Sequence, residues 1–161
     1  MLAVFETSVA TACIHRRFCE LLPEDLLWVE NPDTWERLRL IPGEFHRRDG
    51  RVGDHIAGSP SALPRFLARF QDVYAHLGKA DWIISTAAAH HRLLWLHPIL
   101  DGNGRVARLI SHAMLLGVLD IGAVWSIARG LTRNVQQYKT QDPACQSRPA
   151  PPQRPRGGAG R

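Results

Sequence analysis

Apolar residues return at helical spacing through most of the stretch from Leu63 to Tyr138, and that periodicity leaves few folds open. Leu63, Phe66, Leu67, Phe70, Tyr74 and Leu77 fall at i, i+3, i+4, i+7, i+11 and i+14, one stripe of an amphipathic helix. Ser59-Pro60-Ser61 ahead of them supplies a helix start. From Asp81 to Leu96 nearly every face is apolar (Trp82, Ile83, Ile84, Ala87, Ala88, Ala89, Leu93, Leu94, Trp95), which predicts a helix in the middle of a bundle. Val106, Leu109, Ile110, Ala113 and Met114 make a further stripe ending near Gly117. Ile127, Leu131, Val135 and Tyr138 make a shorter one.

One segment breaks the pattern. GEFHRRDGRVGDHIAG, Gly43 to Gly58, sets a turn-prone Asp49-Gly50 between short extended runs and predicts a β-hairpin. A lone hairpin is marginal in water, so it must lie on the helical body. The fold class is therefore mainly α, a helical bundle with one β-hairpin. The closing stretch SRPAPPQRPRGGAGR has no large apolar residue and predicts disorder. Residues 1–142 then form the folded domain and 143–161 a Pro/Gly/Arg-rich tail. No internal repeat divides the body.

The chain of 161 residues carries a formal charge of +5. Four of its arginines (Arg148, Arg154, Arg156, Arg161) sit in the tail, and setting them aside leaves the body at +1. So even a balance does not point to nucleic acid. Three cysteines, Cys13, Cys19 and Cys145, make an odd number without a CxxC spacing. They suit a reducing compartment rather than a disulfide framework or a zinc site. No apolar run approaches the roughly 18 residues needed to cross a bilayer, and the expected location is cytoplasmic.

Between two helical segments stands HPILDGNGRVAR, His97 to Arg108. Few of these residue types fill a core. Pro98 cannot continue the preceding helix. Gly102 and Gly104 permit backbone angles that let successive N–H groups share one concavity. The next helix adds its own unpaired N–H groups and the positive end of its dipole. Arg105 and Arg108 lie three apart, on one face of the first turn. Backbone donors and guanidinium forks together make an anion site suited to phosphate. Asp101 fits a hard cation such as Mg2+, which is commonly held by one or two carboxylates plus substrate phosphates. His97, at the other end, is placed to take a proton near neutral pH. An ordinary polar turn, with Asp101 as a helix cap, remains the alternative on composition alone.

The stretch resembles the signature of the Fic (filamentation induced by cAMP) family, HxFx(D/E)GNGRxxR, with Ile99 standing where the family has phenylalanine. AAAHHRLLWLHP and WSIARGLTRNVQQYK resemble the flanking helices, and GEFHRRDGRVGDH resembles the upstream hairpin called the flap. The similar core runs from about Pro42 to Lys139, with Ile14 to Leu27 a weaker match to the helix before the flap. The resemblance implies a Fic-type helical bundle and a protein adenylyltransferase. Such an enzyme moves AMP from ATP to a Ser, Thr or Tyr hydroxyl of a target protein. His97 would be the general base and Asp101 would hold Mg2+. The Gly102-Asn103-Gly104 backbone and the Asn103 side chain would cradle the α and β phosphates, Arg105 would meet the β and Arg108 the γ phosphate. The target would dock along the flap, Glu44 to Ile56, by strand addition. The related Doc branch, which phosphorylates, carries lysine at the position of Gly104.

Ile99 keeps an apolar anchor with less volume, which predicts weakened activity rather than another reaction. Many relatives carry an inhibitory (S/T)xxxE(G/N) helix. Glu30-Asn31 is the one Glu-Asn or Glu-Gly pair here, but Leu26 replaces the required Ser or Thr. An antitoxin or other inhibitory chain would then act in trans, or the enzyme is unrestrained. The abrupt start and the Arg-Pro tail also suggest a truncated or frame-shifted reading of a longer protein. The alternative function is a degenerate or truncated Fic domain that binds nucleotide or a partner without turnover. His90 and His91 lack enough further ligands for zinc and are expected to pack and hydrogen-bond behind the loop.

Overall fold

In a computed structural model the described residues are 7–31, 34–49, 51–52, 55–74, 81–116 and 127–141. Among them six helices carry the fold: α1 (Thr7–Glu20), α2 (Leu63–Tyr74), α3 (Trp82–Leu96), α4 (Asn103–Leu116), α5 (Ile127–Arg133) and α6 (Val135–Gln141). The expected stripe of α2 is buried at Leu63, Leu67 and Phe70, with Phe66 and Tyr74 packed at its edge. Its start is the Ser59 carbonyl, which accepts the N–H groups of Ala62 and Leu63 at 2.9 and 3.2 Å. Pro64 comes next in the first turn, where a missing N–H does no harm. The core joins α2 and α3 to α4 through Leu67, Phe70, Ala89, Leu93, Leu94, Val106 and Ile110. Helix α1 packs across α2 and α4. The shortest stripe divides at Asn134 into α5 and α6.

Helix α3 corrects its expectation. Trp82, Thr86, Ala89, Leu93, Leu94 and Leu96 are buried, whereas Ile83 is 58% and Ile84 76% exposed. Among the described residues α2 and α4 cover two sides of α3, and its third side borders a cavity of about 360 Å³ shared with α5 and α6. In that cavity wall His90 hydrogen-bonds as its position predicts. Ser111 donates to the Ala107 carbonyl at 2.8 Å, so Ser111 Oγ accepts from His90 Nδ1 at 2.9 Å and Tyr138 donates to Nε2 at 3.2 Å. Among the described residues no cluster of three or more His, Cys, Asp or Glu gathers to hold a metal.

Among the described residues two two-stranded antiparallel ladders stand where one hairpin is expected. The unforeseen one pairs β1 (Trp28–Glu30) with β2 (Arg37–Arg39), Trp28 opposite Arg39 and Glu30 opposite Arg37. It closes a small second core of Cys19, Leu27 and Leu40 against Phe18, Leu22 and Val29. The foreseen one pairs β3 (Arg51–Val52) with β4 (His55–Ile56). Its register places Val52 opposite His55, so both paired strands lie after Asp49-Gly50 rather than on either side of it. Both Gly53-Asp54 and Asp49-Gly50 are turn-prone, and composition alone does not choose between them. The tail, 143–161, lies outside the described residues, as does Cys145; Cys13 and Cys19 are free thiols. Among the described residues no helix is long and apolar enough to cross a membrane.

Candidate active site

Helix α3 ends at Leu96, and His97 turns the chain with φ 48° and ψ 54° while its N–H returns to the Leu93 carbonyl at 3.1 Å. A left-handed residue closing a helix in this way is usually glycine. A side chain there costs about 1–2 kcal/mol, and such strain clusters at functional sites. The imidazole is half-buried at the head of the loop.

Asn103 closes the loop from the other side. Its Oδ1 accepts the Ile99 N–H at 3.0 Å and its Nδ2 donates to the Ile99 carbonyl at 2.6 Å. The side chain is buried and braces the loop from within, its amide turned to Ile99 rather than outward to phosphates as the resemblance implies. Ile99 itself is 1% exposed and belongs to the main core, so the branched residue serves as the loop's apolar anchor.

Gly102 takes φ +90°, and its carbonyl accepts the N–H groups of Arg105 and Val106, both at 3.0 Å, as α4 begins. A Cβ there would meet Phe18 Cε1 at 3.4 Å and His15 Cδ2 at 4.0 Å. Phe18 also lies under Arg105, whose guanidinium carbon is 4.6 Å from the ring centroid. The N–H groups of Asn103 and Gly104 open the helix and have no partner within it. At Gly104 a Cβ would stand 3.4 Å from Arg108 Nη1, so this guanidinium folds back over the first turn. Asp101 is half exposed, and Arg105 Nη1 stands 4.0 Å from its Oδ2, beyond hydrogen-bonding range. An ion that takes its remaining ligands from phosphates needs one accessible carboxylate, and Asp101 fits that demand.

The flap is bonded to this loop. His46 donates its N–H to the Pro98 carbonyl at 3.0 Å, and the His55 ring reaches the Trp95 carbonyl. Arg47 pairs with Glu44, and Arg48 reaches both carboxylate oxygens of Glu36 at 2.9 and 3.2 Å. Glu30 stands in strand β1 rather than on a helix, in keeping with its rejection as an inhibitory glutamate.

His15 forms the floor. The Gly43 N–H donates to its Nδ1 at 3.2 Å, so Nε2 carries the proton and faces Cys19 Sγ at 3.3 Å. Burial holds this imidazole below its ordinary value, against the opposing pull of the Asp101 carboxylate. Burial also raises the Cys19 thiol, aided by Asp101. A base whose folded-state value is depressed contributes stability above its unfolded value, about 6.5, and loses it as pH falls further. Denaturant unfolding between pH 7.5 and 5 should therefore show stability falling with pH. The fall should be shallower in His15→Asn, which keeps an acceptor for Gly43 and has no group to titrate. Equal slopes would mean that His15 does not titrate in this range.

The structure brings His97, Asp101, Gly102, Asn103, Gly104, Arg105 and Arg108 into one loop-to-helix junction. Sequence reasoning missed Phe18, His15, His46 and His55. Thr11, His15, Phe18 and Leu22 do follow helical spacing in and just beyond α1, but two polar members hide the stripe. Nothing local marks His46 or His55.

A helical bundle with this junction and an attached hairpin defines a family. The profile of the Fic/DOC family matches residues 11–115, and the chain belongs to that family. Proteins called protein adenylyltransferase Fic from Drosophila erecta and Drosophila melanogaster are 36% identical to it over 76 residues. The same-named protein of Drosophila ananassae is 34% identical over the same length. The matched stretch is 46% of this chain and 15% of each relative, so the chain spans a small part of their length.

Proposed function

We propose that the chain is a protein adenylyltransferase that transfers AMP from ATP to a Ser, Thr or Tyr hydroxyl of a target protein in the cytoplasm. The observation that carries this reading is the junction itself. Gly102 turns left-handed, the first N–H groups of α4 have no partner within the helix, and two guanidiniums lie over the same turn, with His97 at the head of the loop. His97 would take the hydroxyl proton as the oxygen attacks the α phosphate and pyrophosphate departs. Asp101 would hold Mg2+, which neutralises phosphate charge when bound. Arg105, ordered by Phe18, and Arg108, folded over Gly104, would hold the outer phosphates. The target would add a strand to the flap, and a separate antitoxin chain would supply any restraint.

Nucleotidyl rather than phosphoryl transfer is favoured by Gly104, where a Cβ would only touch Arg108 Nη1 at 3.4 Å but a long cationic side chain would compete with that guanidinium for the same space. Gly104→Lys is expected to lower AMP transfer about a hundredfold, the scale on which one disturbed anion-stabilising group acts. The alternative, a domain that binds nucleotide without turnover, rests on Ile99. Burial of Ile99 and the doubled bond to Asn103 give that alternative less support. The deciding experiment incubates the chain with Mg2+, a cell lysate and ATP labelled at the α or γ position. Protein label from the α position that disappears in His97→Ala supports the proposal. Label from γ alone moves the chain to the phosphorylating branch, and ATP binding without transfer favours the alternative.

A further inference from the structure

The last carbonyls of an α-helix have no partner inside it. In α3 the sequence sharpens this shortfall. Pro98 has no N–H to return to Leu94. The Ile99 N–H, which would return to Trp95, is held by Asn103 Oδ1. The Trp95 carbonyl is therefore open to a donor from outside the helix, and strand β4 supplies one. His55 Nε2 lies 2.6 Å from it, and because a carbonyl only accepts, Nε2 carries the proton. The His55 ring leans against the Trp95 indole, with centroids 5.9 Å apart and planes tilted by 51°. On the other side of His97 the Pro98 carbonyl takes the His46 N–H. Gly58, where the chain leaves the flap, stands beside the Leu96 carbonyl. Both arms of the flap are thus bonded to main chain that brackets His97, two residues before it and one after.

We infer that His55 is a positioning residue: by donating from Nε2 to the Trp95 carbonyl, it sets the height of the flap's second strand relative to His97. A target segment added to the flap would inherit that height. His55 acts through Trp95. Its consequence for transfer rests on the adenylyltransferase reading, because a hydroxyl misplaced by an ångström loses much of its rate. The tether itself does not rest on it. The requirement is for a donor at that position rather than for a ring.

The test compares the full chain with His55→Gln, which keeps an N–H donor at similar reach, and His55→Phe, which keeps a ring without one. Hydrogen exchange is followed at residues 55–58, ATP binding with Mg2+ by calorimetry, and AMP transfer from α-labelled ATP over a dilution series of lysate. In His55→Phe, exchange at 55–58 should quicken about tenfold, the factor that one net hydrogen bond commands. The half-saturating lysate concentration should rise while ATP binding stays unchanged, and His55→Gln should restore both exchange and transfer. Wild-type exchange in His55→Phe, or a glutamine that rescues nothing, overturns the inference. If the wild-type chain transfers no label, the adenylyltransferase reading fails by itself. Exchange then decides the tether alone: faster in Phe and restored in Gln supports it, unchanged in Phe refutes it.

Discussion

Replacing Asn103 with alanine is expected to destabilise the chain by about 2–4 kcal/mol, since each buried polar group left unpaired costs roughly 1–3 kcal/mol. One side chain satisfies both the N–H and the carbonyl of Ile99, and Ile99 is sealed in the core. Removing it strands two backbone groups that water cannot easily reach. For a chain of this size the loss corresponds to a fall of about 5–15 °C in Tm. ATP binding should fall as well, because the loop that presents the N–H groups of Asn103 and Gly104 loses its inner brace. Denaturant unfolding and calorimetry check both. A change below about 1 kcal/mol would mean that a water molecule replaces the amide.

Replacing His97 with alanine should leave stability nearly unchanged and reduce AMP transfer about 100- to 10,000-fold, the usual contribution of a general base. Glycine at the same position separates strain from chemistry. It should be as inactive as alanine yet more stable than alanine by about 1 kcal/mol, because a left-handed residue tolerates a Cβ poorly. Such a pairing, an inactive but stabilised chain, would show that the loop from Pro98 to Asn103 holds the backbone at position 97 against its preference. Equal stability of the two variants would place the left-handed turn at no cost.

The parts of the fold that depend on periodicity were legible. The stripe at Leu63, Leu67 and Phe70 is buried as its spacing requires, and Pro98 stops α3 within two residues of where it stands. Apolar content misled at Ile83 and Ile84, since a pattern does not tell how many neighbours a helix will have. The β1–β2 ladder was missed because its strands are three residues long and Trp28–Glu30 comes directly after a 3-10 turn at Glu24–Leu27. In the candidate site, the type and spacing of the glycines and arginines lead to the expectation of an anion loop. The residues that support the loop give no such notice. Asn103 commits its amide to Ile99, a choice that only the folded turn reveals. The roles of Phe18 and His15 depend on contacts across more than eighty residues, for which a single sequence holds no local sign.

The stacking of Phe18 beneath both Gly102 and Arg105 has a kinetic meaning. Phe18 packs first on the second core of Cys19, Leu27 and Leu40, and the face it offers Gly102 and Arg105 is covered only once α4 has been made. The glycine turn encodes its own bend, but Arg105 gains its aromatic contact only when these remote segments meet. The aromatic support of the loop is thus completed by one late docking event, and a chain caught before it would hold the whole motif without that support.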